Sequence, residues 1–263
     1  LHIIGIEERK ENNKTVIVRK AVERRDEASL LENTINQLDA EDCLRHINGS
    51  LYGNDYEERL FNVAMELCIT WMNRILFLKL LEAQMLKYHN DAIYKFLSIT
   101  KIHDYDDLNT LFFQVLARDM SSRTHSIMRD FAYVPYLNSS LFEVTDLESK
   151  TIKINSLSQR TVLPVLASSV LRNKKRNLQV NALPTLQYLF AFLDAYNFAS
   201  EGSEEVQEEA KTLINASVLG LIFEKINGHK DGSVFTPGFI TMFMCREAIT
   251  KTVLQKFNGY YGW

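Results

Sequence analysis

Apolar residues recur at intervals of three and four through Leu60, Val63, Ala64, Leu67, Trp71, Ile75 and Leu78, which predicts a long helix over residues 56–87. Met72, Leu76, Phe77, Leu80 and Leu81 fill its other faces. A helix that is apolar nearly all round belongs at the centre of a core. Two β-branched runs, 2–6 and 15–18, flank a polar turn over 10–14 and predict a strand pair. Residues 22–50 are charged and mostly helical in pattern, and Asn48-Gly49-Ser50 punctuates them. A short helix is expected over 112–120, with Asp106 and Asp107 at its start. Residues 141–144 and 152–154 read as two short strands around a turn over 145–150. A helix over 184–199 sets Leu186, Leu189, Phe190 and Leu193 on one face. Another, over 203–226, opens on Glu204 and Glu205, which suit a helix N-terminus, and Gly228 ends it. The last helix runs over 237–257. Its apolar residues do not keep to one stripe, so packing on two sides is expected. The fold class is mainly α: a helical, bundle-like domain with two small β-hairpins.

Composition narrows the function classes. Hydrophobic residues make up 46% and charged residues 24% of 263, which supports a packed core rather than disorder. Glycine (10) and proline (4) are scarce, against both a turn-rich all-β fold and a complete nucleotide-binding α/β domain with its Gly-rich turns. A net charge of −3 gives no bulk attraction to nucleic acid, so such contact needs a local patch or another domain. Cys43, Cys68 and Cys245 are too scattered for a disulfide framework and fit a reducing, cytoplasmic setting. The apolar run 1–6 meets Glu7, Glu8, Arg9 and Lys10 too soon for a signal sequence, and no apolar stretch reaches the roughly 18 residues of a membrane span.

The chemistry-bearing patterns are few. The six histidines stand apart and no two cysteines sit at ligand spacing, which argues against zinc. There is no Gly-x-Ser-x-Gly turn, and Gly228 and Gly232 are too close for a phosphate loop. Two triplets, Glu8-Arg9-Lys10 and Glu148-Ser149-Lys150, have the spacing of Mg²⁺-dependent nucleases, with Asp130 or Asp146 as the upstream carboxylate of the second. Solvated hairpin charges are the favoured reading of both. Arg172, Lys174, Lys175 and Arg176 could meet DNA phosphates, although a solvated loop is the commoner fate of so short a run. Asn73, Arg74, Lys79 and Glu82 lie among the apolar residues of the long helix. Lys79 and Glu82 are one turn apart, so internal pairing is expected rather than anchoring to a partner domain. Near the end, Asp231-Gly232-Ser233-Val234-Phe235-Thr236-Pro237-Gly238 delivers a Thr-Pro pair to a helix start, which turns free amides toward whatever lies in front.

Four segments together resemble the region ahead of the catalytic domain in type II, IIG-like restriction–modification enzymes, which fuse a nuclease to an adenine-N6 methyltransferase. Met72-Asn73-Arg74-Ile75-Leu76-Phe77-Leu78-Lys79-Leu80-Leu81-Glu82 is similar to that family's Arg-Leu-Leu-Phe-Leu-Lys-Phe-Leu-Glu stretch. Val134-Pro135-Tyr136-Leu137-Asn138-Ser139-Ser140-Leu141-Phe142-Glu143 resembles its Pro-Tyr-Leu-Asn-Gly-Gly-Leu-Phe, with Ser139 and Ser140 in place of the glycines. Leu186-Gln187-Tyr188-Leu189-Phe190 precedes Asp194-Ala195-Tyr196-Asn197-Phe198 as it does there. Leu219-Gly220-Leu221-Ile222-Phe223-Glu224-Lys225 leads into Phe235-Thr236-Pro237, similar to the family's Gly-x-Phe-Tyr-Thr-Pro, with Val234 where an aromatic is common. The family's Asn-Pro-Pro motif and its glycine-rich turn do not occur.

The resemblance implies a connector that leads into a methyltransferase domain. Residues 1–50 would form a strand pair and charged helix, 51–228 the helical connector, and 229–263 the first helix of a truncated α/β methyltransferase domain. Phe235, Thr236, Pro237 and Phe239 would border the S-adenosylmethionine pocket. The parent protein would flip an adenine out of DNA and methylate it, and would need Mg²⁺ only if it carries a nuclease domain. No catalytic residue falls in this chain, so by itself it is expected to be inactive, with DNA and the methyltransferase and recognition domains as partners and no membrane. The alternative is a non-enzymatic helical scaffold that docks proteins.

Overall fold

The structure, a computed structural model, describes residues 1–11, 14–171, 180–198, 213–214, 220 and 238–261. The chain divides into two compact units, Leu1–Leu221 and Ile222–Trp263. It is mainly helical, with two small antiparallel strand pairs, as the residue pattern predicts.

The first pair joins β1 (Ile6–Glu11) to β2 (Lys14–Arg19), with Ile6 opposite Arg19 and Glu11 opposite Lys14. It begins later than the β-branched run at 2–6 suggests. The carbonyls of Ile3 and Ile4 instead accept the first amides of α1 (Leu30–Ala40), from Leu30 and Leu31 at 3.0 and 2.9 Å. Gly5 makes that turn at φ 96°, and an added Cβ there would stand 2.5 Å from Ser29 Oγ. Leu31, Ile35 and Leu38 of α1 then bury against α2 (Tyr56–His89).

The 34 residues of α2 form the axis of the first unit. Asp55 caps it by accepting the Glu58 amide at 2.8 Å, and Asn90 ends it at φ 51°. At 1.5 Å per residue it is about 51 Å long. Val63, Leu67, Trp71 and Leu78 are fully buried, so α2 is the central helix its pattern predicts. The helix expected over 112–120 begins earlier, as α3 (Tyr105–Thr110), because Asp104 caps it through the Asp107 amide at 2.8 Å. It continues as a wider π turn, Leu111–Leu116, that buries Leu111, Phe112, Val115 and Leu116. A short α4 (His125–Phe131) follows.

The second strand pair is not where the sequence suggests. Residues 141–144 and 152–154 form no strands; single 3-10 turns, Ser140–Phe142 and Ile154–Ser156, flank α5 (Asp146–Lys150). A reciprocal cap decides this: the Thr145 hydroxyl accepts the Glu148 amide, and the Glu148 carboxylate accepts the Thr145 amide. The antiparallel pair is formed instead by β3 (Val162–Pro164) and β4 (Ala182–Pro184). β4 leads into α6 (Thr185–Asp194), which stops short of its expected end because β5 (Asn197–Phe198) pairs in parallel with β6 (Leu213–Ile214). Leu213 and Ile214 are therefore strand, against the helix expected over 203–226. Gly220 is helical, and the rest of that stretch lies outside the described residues.

In the second unit the described residues form one helix, α7 (Gly238–Tyr261), close to the expected 237–257. Among the described residues no helix is long and apolar enough to cross a membrane.

Candidate functional site

The polar side chains embedded in α2 build two networks. Arg74 donates from Nε to the Leu141 carbonyl at 2.6 Å and from Nη2 to the Glu143 carbonyl at 2.8 Å. Its Nη1 and Nη2 also grip both oxygens of Glu148, at 2.6 and 2.9 Å. Trp71 Nε1 donates to the same carboxylate at 2.8 Å. The guanidinium lies 5.5 and 5.1 Å from the ring centres of Phe112 and Phe113. Both charged side chains are 0% exposed. Burial pushes the Glu148 carboxyl up, but the hydrogen bonds and charge of Arg74 outweigh it and hold the group below its ordinary range. Such a pair is costly to break from one side, because the survivor is a buried, uncompensated charge.

Five positions on, Lys79 donates to Glu82 Oε1 and to Asp194 Oδ1, both at 2.5 Å. The expected internal pairing of Lys79 with Glu82 is borne out. Glu82 Oε2 accepts the Leu97 amide at 2.6 Å, and Lys95 reaches the other Asp194 oxygen at 2.8 Å. A cleft of about 310 Å³ opens here, lined by Lys79, Glu82, Lys95, Asp194, Tyr196 and Asn197 among others. Burial raises the Glu82 carboxyl despite Lys79. Asp194 is pushed up by burial and drawn lower still by its bonds from Lys79 and Lys95, ending below the ordinary range. Lys79 is pulled down by burial and carried above its ordinary value by Glu82 and Asp194. Two cations and two carboxylates cancel. The arrangement is suited to fastening α6 and β5 against α2 rather than to attacking a substrate.

Among the described residues the second nuclease triplet assembles no carboxylate–lysine site. The Glu148 oxygens are taken by Arg74, Trp71 and Thr145, and Lys150 turns to Asp146 at 2.7 Å. Asp130 is paired with its neighbour Arg129. Glu8 and Lys10 are exposed on β1.

The family described as a domain of unknown function, DUF7814, matches residues 1–214. The chain belongs to that family. No curated protein and no solved structure matches it. The DUF7814 match lies within the first compact unit and ends on the last residue of β6. Its description assigns no activity.

Three of the four segments that carry the resemblance lie in this DUF7814 region, and they meet on α2. Segment 72–82 supplies Arg74, Lys79 and Glu82; segment 134–143 supplies the carbonyls that Arg74 holds; segment 186–198 supplies Asp194. Of the fourth, Gly220 alone is described. Phe235, Thr236 and Pro237 lie outside the described residues, as do Arg172, Lys174, Lys175 and Arg176. Phe239 is the second residue of α7 and is 75% exposed. Sequence reasoning missed Glu148 and Asp194 as partners of the long helix. Thr145-x-x-Glu148 carries a capping-box signal that could have found the first. No local signal marks Asp194, which pairs across 115 positions.

Proposed function

We propose that this chain serves as the helical connector of a restriction–modification DNA methyltransferase, whose complete product transfers a methyl group from S-adenosylmethionine to adenine N6 in cytoplasmic DNA. One observation carries the reading. Segments far apart in sequence, each similar to a segment of that enzyme class, converge on one helix through two buried ionic networks. In this reading the residues shared with that class act as framework residues. In this reading the connector is not itself catalytic. In the complete enzyme Phe235, Thr236, Pro237 and Phe239 would border the S-adenosylmethionine pocket, as the resemblance implies. DNA and the methyltransferase and recognition domains are its partners.

Deleting the gene and sequencing the host's modified adenines tests this. The expected result is that N6-methylation disappears from one sequence motif and returns on complementation. An unchanged methylation pattern overturns the reading and leaves the protein-docking scaffold in its place.

A further inference from the structure

The far end of α2 carries a ladder of aromatic rings that neither ionic network uses. Tyr88 and His89 occupy its last turn, and Asn90 then reverses the chain into the 3-10 turn Ala92–Tyr94. Tyr88 meets His89 edge-on with ring centres 4.9 Å apart. His89 stacks on Tyr94 at 4.1 Å with 15° between their planes. Tyr94 meets Tyr133 edge-on at 6.3 Å, and the Lys101 ammonium stands 4.2 Å from the Tyr133 ring centre. Tyr88 is 84% exposed. A single exposed tyrosine is ordinary, but here exposed Tyr88 and His89 continue a run of contacting rings that ends in half-buried Tyr94 and Tyr133.

Two lysines border the ladder outside those networks. Lys87 is exposed beside Tyr88. Lys101, which donates to the Ile93 carbonyl at 2.5 Å, stands at the far end. Asp91, the carboxylate on the turn, is engaged in capping the Ile93 amide at 2.9 Å. Lysines flanking exposed ring faces are the composition of a platform on which bases stack while cations meet phosphates. A chain of net charge −3 needs such a local patch to approach a polyanion at all.

We propose that this face binds single-stranded DNA, one base stacking on the open face of Tyr88 while Lys87 and Lys101 meet the flanking phosphates. The choice of DNA over RNA rests on the methyltransferase reading above, since base extrusion exposes unpaired DNA beside the enzyme.

Fluorescence polarisation of the purified protein with labelled oligothymidine, the matching duplex and oligouridine tests it. The single DNA strand is expected to bind best, and more weakly as salt rises above about 50 mM. Tyr88→Ala is expected to weaken binding roughly tenfold, and Tyr88→Trp to restore it. Lys87→Ala and Lys101→Ala should each flatten the salt dependence. The thermal midpoint of Tyr88→Ala should match the parent, because the ring is in solvent. No binding near 50 mM salt overturns the proposal. So does wild-type affinity in Tyr88→Ala, or equal affinity for duplex or oligouridine. Genome methylation after gene deletion is an independent readout: its loss with no strand binding removes this surface alone, and its persistence removes the connector reading.

Discussion

Arg74 is the residue on which most depends. It is a fully buried cation with one carboxylate, two carbonyls and two aromatic rings around it. Arg74→Met strands Glu148 as a buried charge, and urea titration is expected to show a loss of about 3–5 kcal/mol. Arg74→Met combined with Glu148→Leu removes both charges, so the double variant should be more stable than Arg74→Met alone. A double variant that loses the sum of its singles would show that the pair acts through shape rather than charge. Titration adds a second test. Asp194 and Glu148 have depressed folded pKa values, so their contribution is full above the ordinary carboxylate value near 4 and is lost as pH falls through the folded value. Glu82 runs the other way: its raised folded pKa gives stability that fades as pH rises from the ordinary value through the folded one. Asp194→Asn should therefore flatten the acid limb of stability measured by urea midpoint below about pH 4, and Glu82→Gln should remove the decline just above it. An unchanged acid limb in Asp194→Asn would mean that its bonds to lysine do not survive in solution.

Among the elements, periodicity made α2 legible, because a helix buried on several sides must repeat apolar residues at three and four. The first hairpin was legible for the same kind of reason. What failed were places where a few polar atoms outvote the pattern. β-Branched Val144, Ile152 and Ile154 suggest strand, yet the reciprocal cap of Thr145 and Glu148 starts α5. At the chain start, β-branched Ile3 and Ile4 give their carbonyls to α1 instead of to a ladder. The site was half legible: Lys79 with Glu82 could be read from spacing, whereas Glu148 and Asp194 reach α2 only through the tertiary fold. Thr145→Ala is expected to lower stability by about 1 kcal/mol through the lost cap alone. The hydroxyl also donates to the Glu148 carboxylate at 3.0 Å, which should raise that cost. Thr145→Ser keeps both bonds and should retain most of the stability in thermal melts. If Thr145→Ser falls as far as Thr145→Ala, the methyl group rather than the hydroxyl holds the turn.

At the scale of the molecule, the first unit is organised as walls fixed to one axis. Arg74 and Lys79 are five residues apart, so they are displaced by roughly 7.5 Å along α2 and about 140° around it. Each therefore fastens a different wall: Arg74 the turn into α5, Lys79 the end of α6 with β5. If the walls are independent, the two clamps should act independently. Lys79→Met should raise hydrogen exchange in α6 while α5 keeps its protection, and Arg74→Met should do the reverse. Combined, the two substitutions should destabilise by the sum of the singles to within about 0.5 kcal/mol, since they share no partner. A coupling well above that would mean that the walls press on one another and the unit responds as one body. That outcome matters for the connector reading, because a connector built of separable walls can transmit a displacement along one of them and leave the other in place.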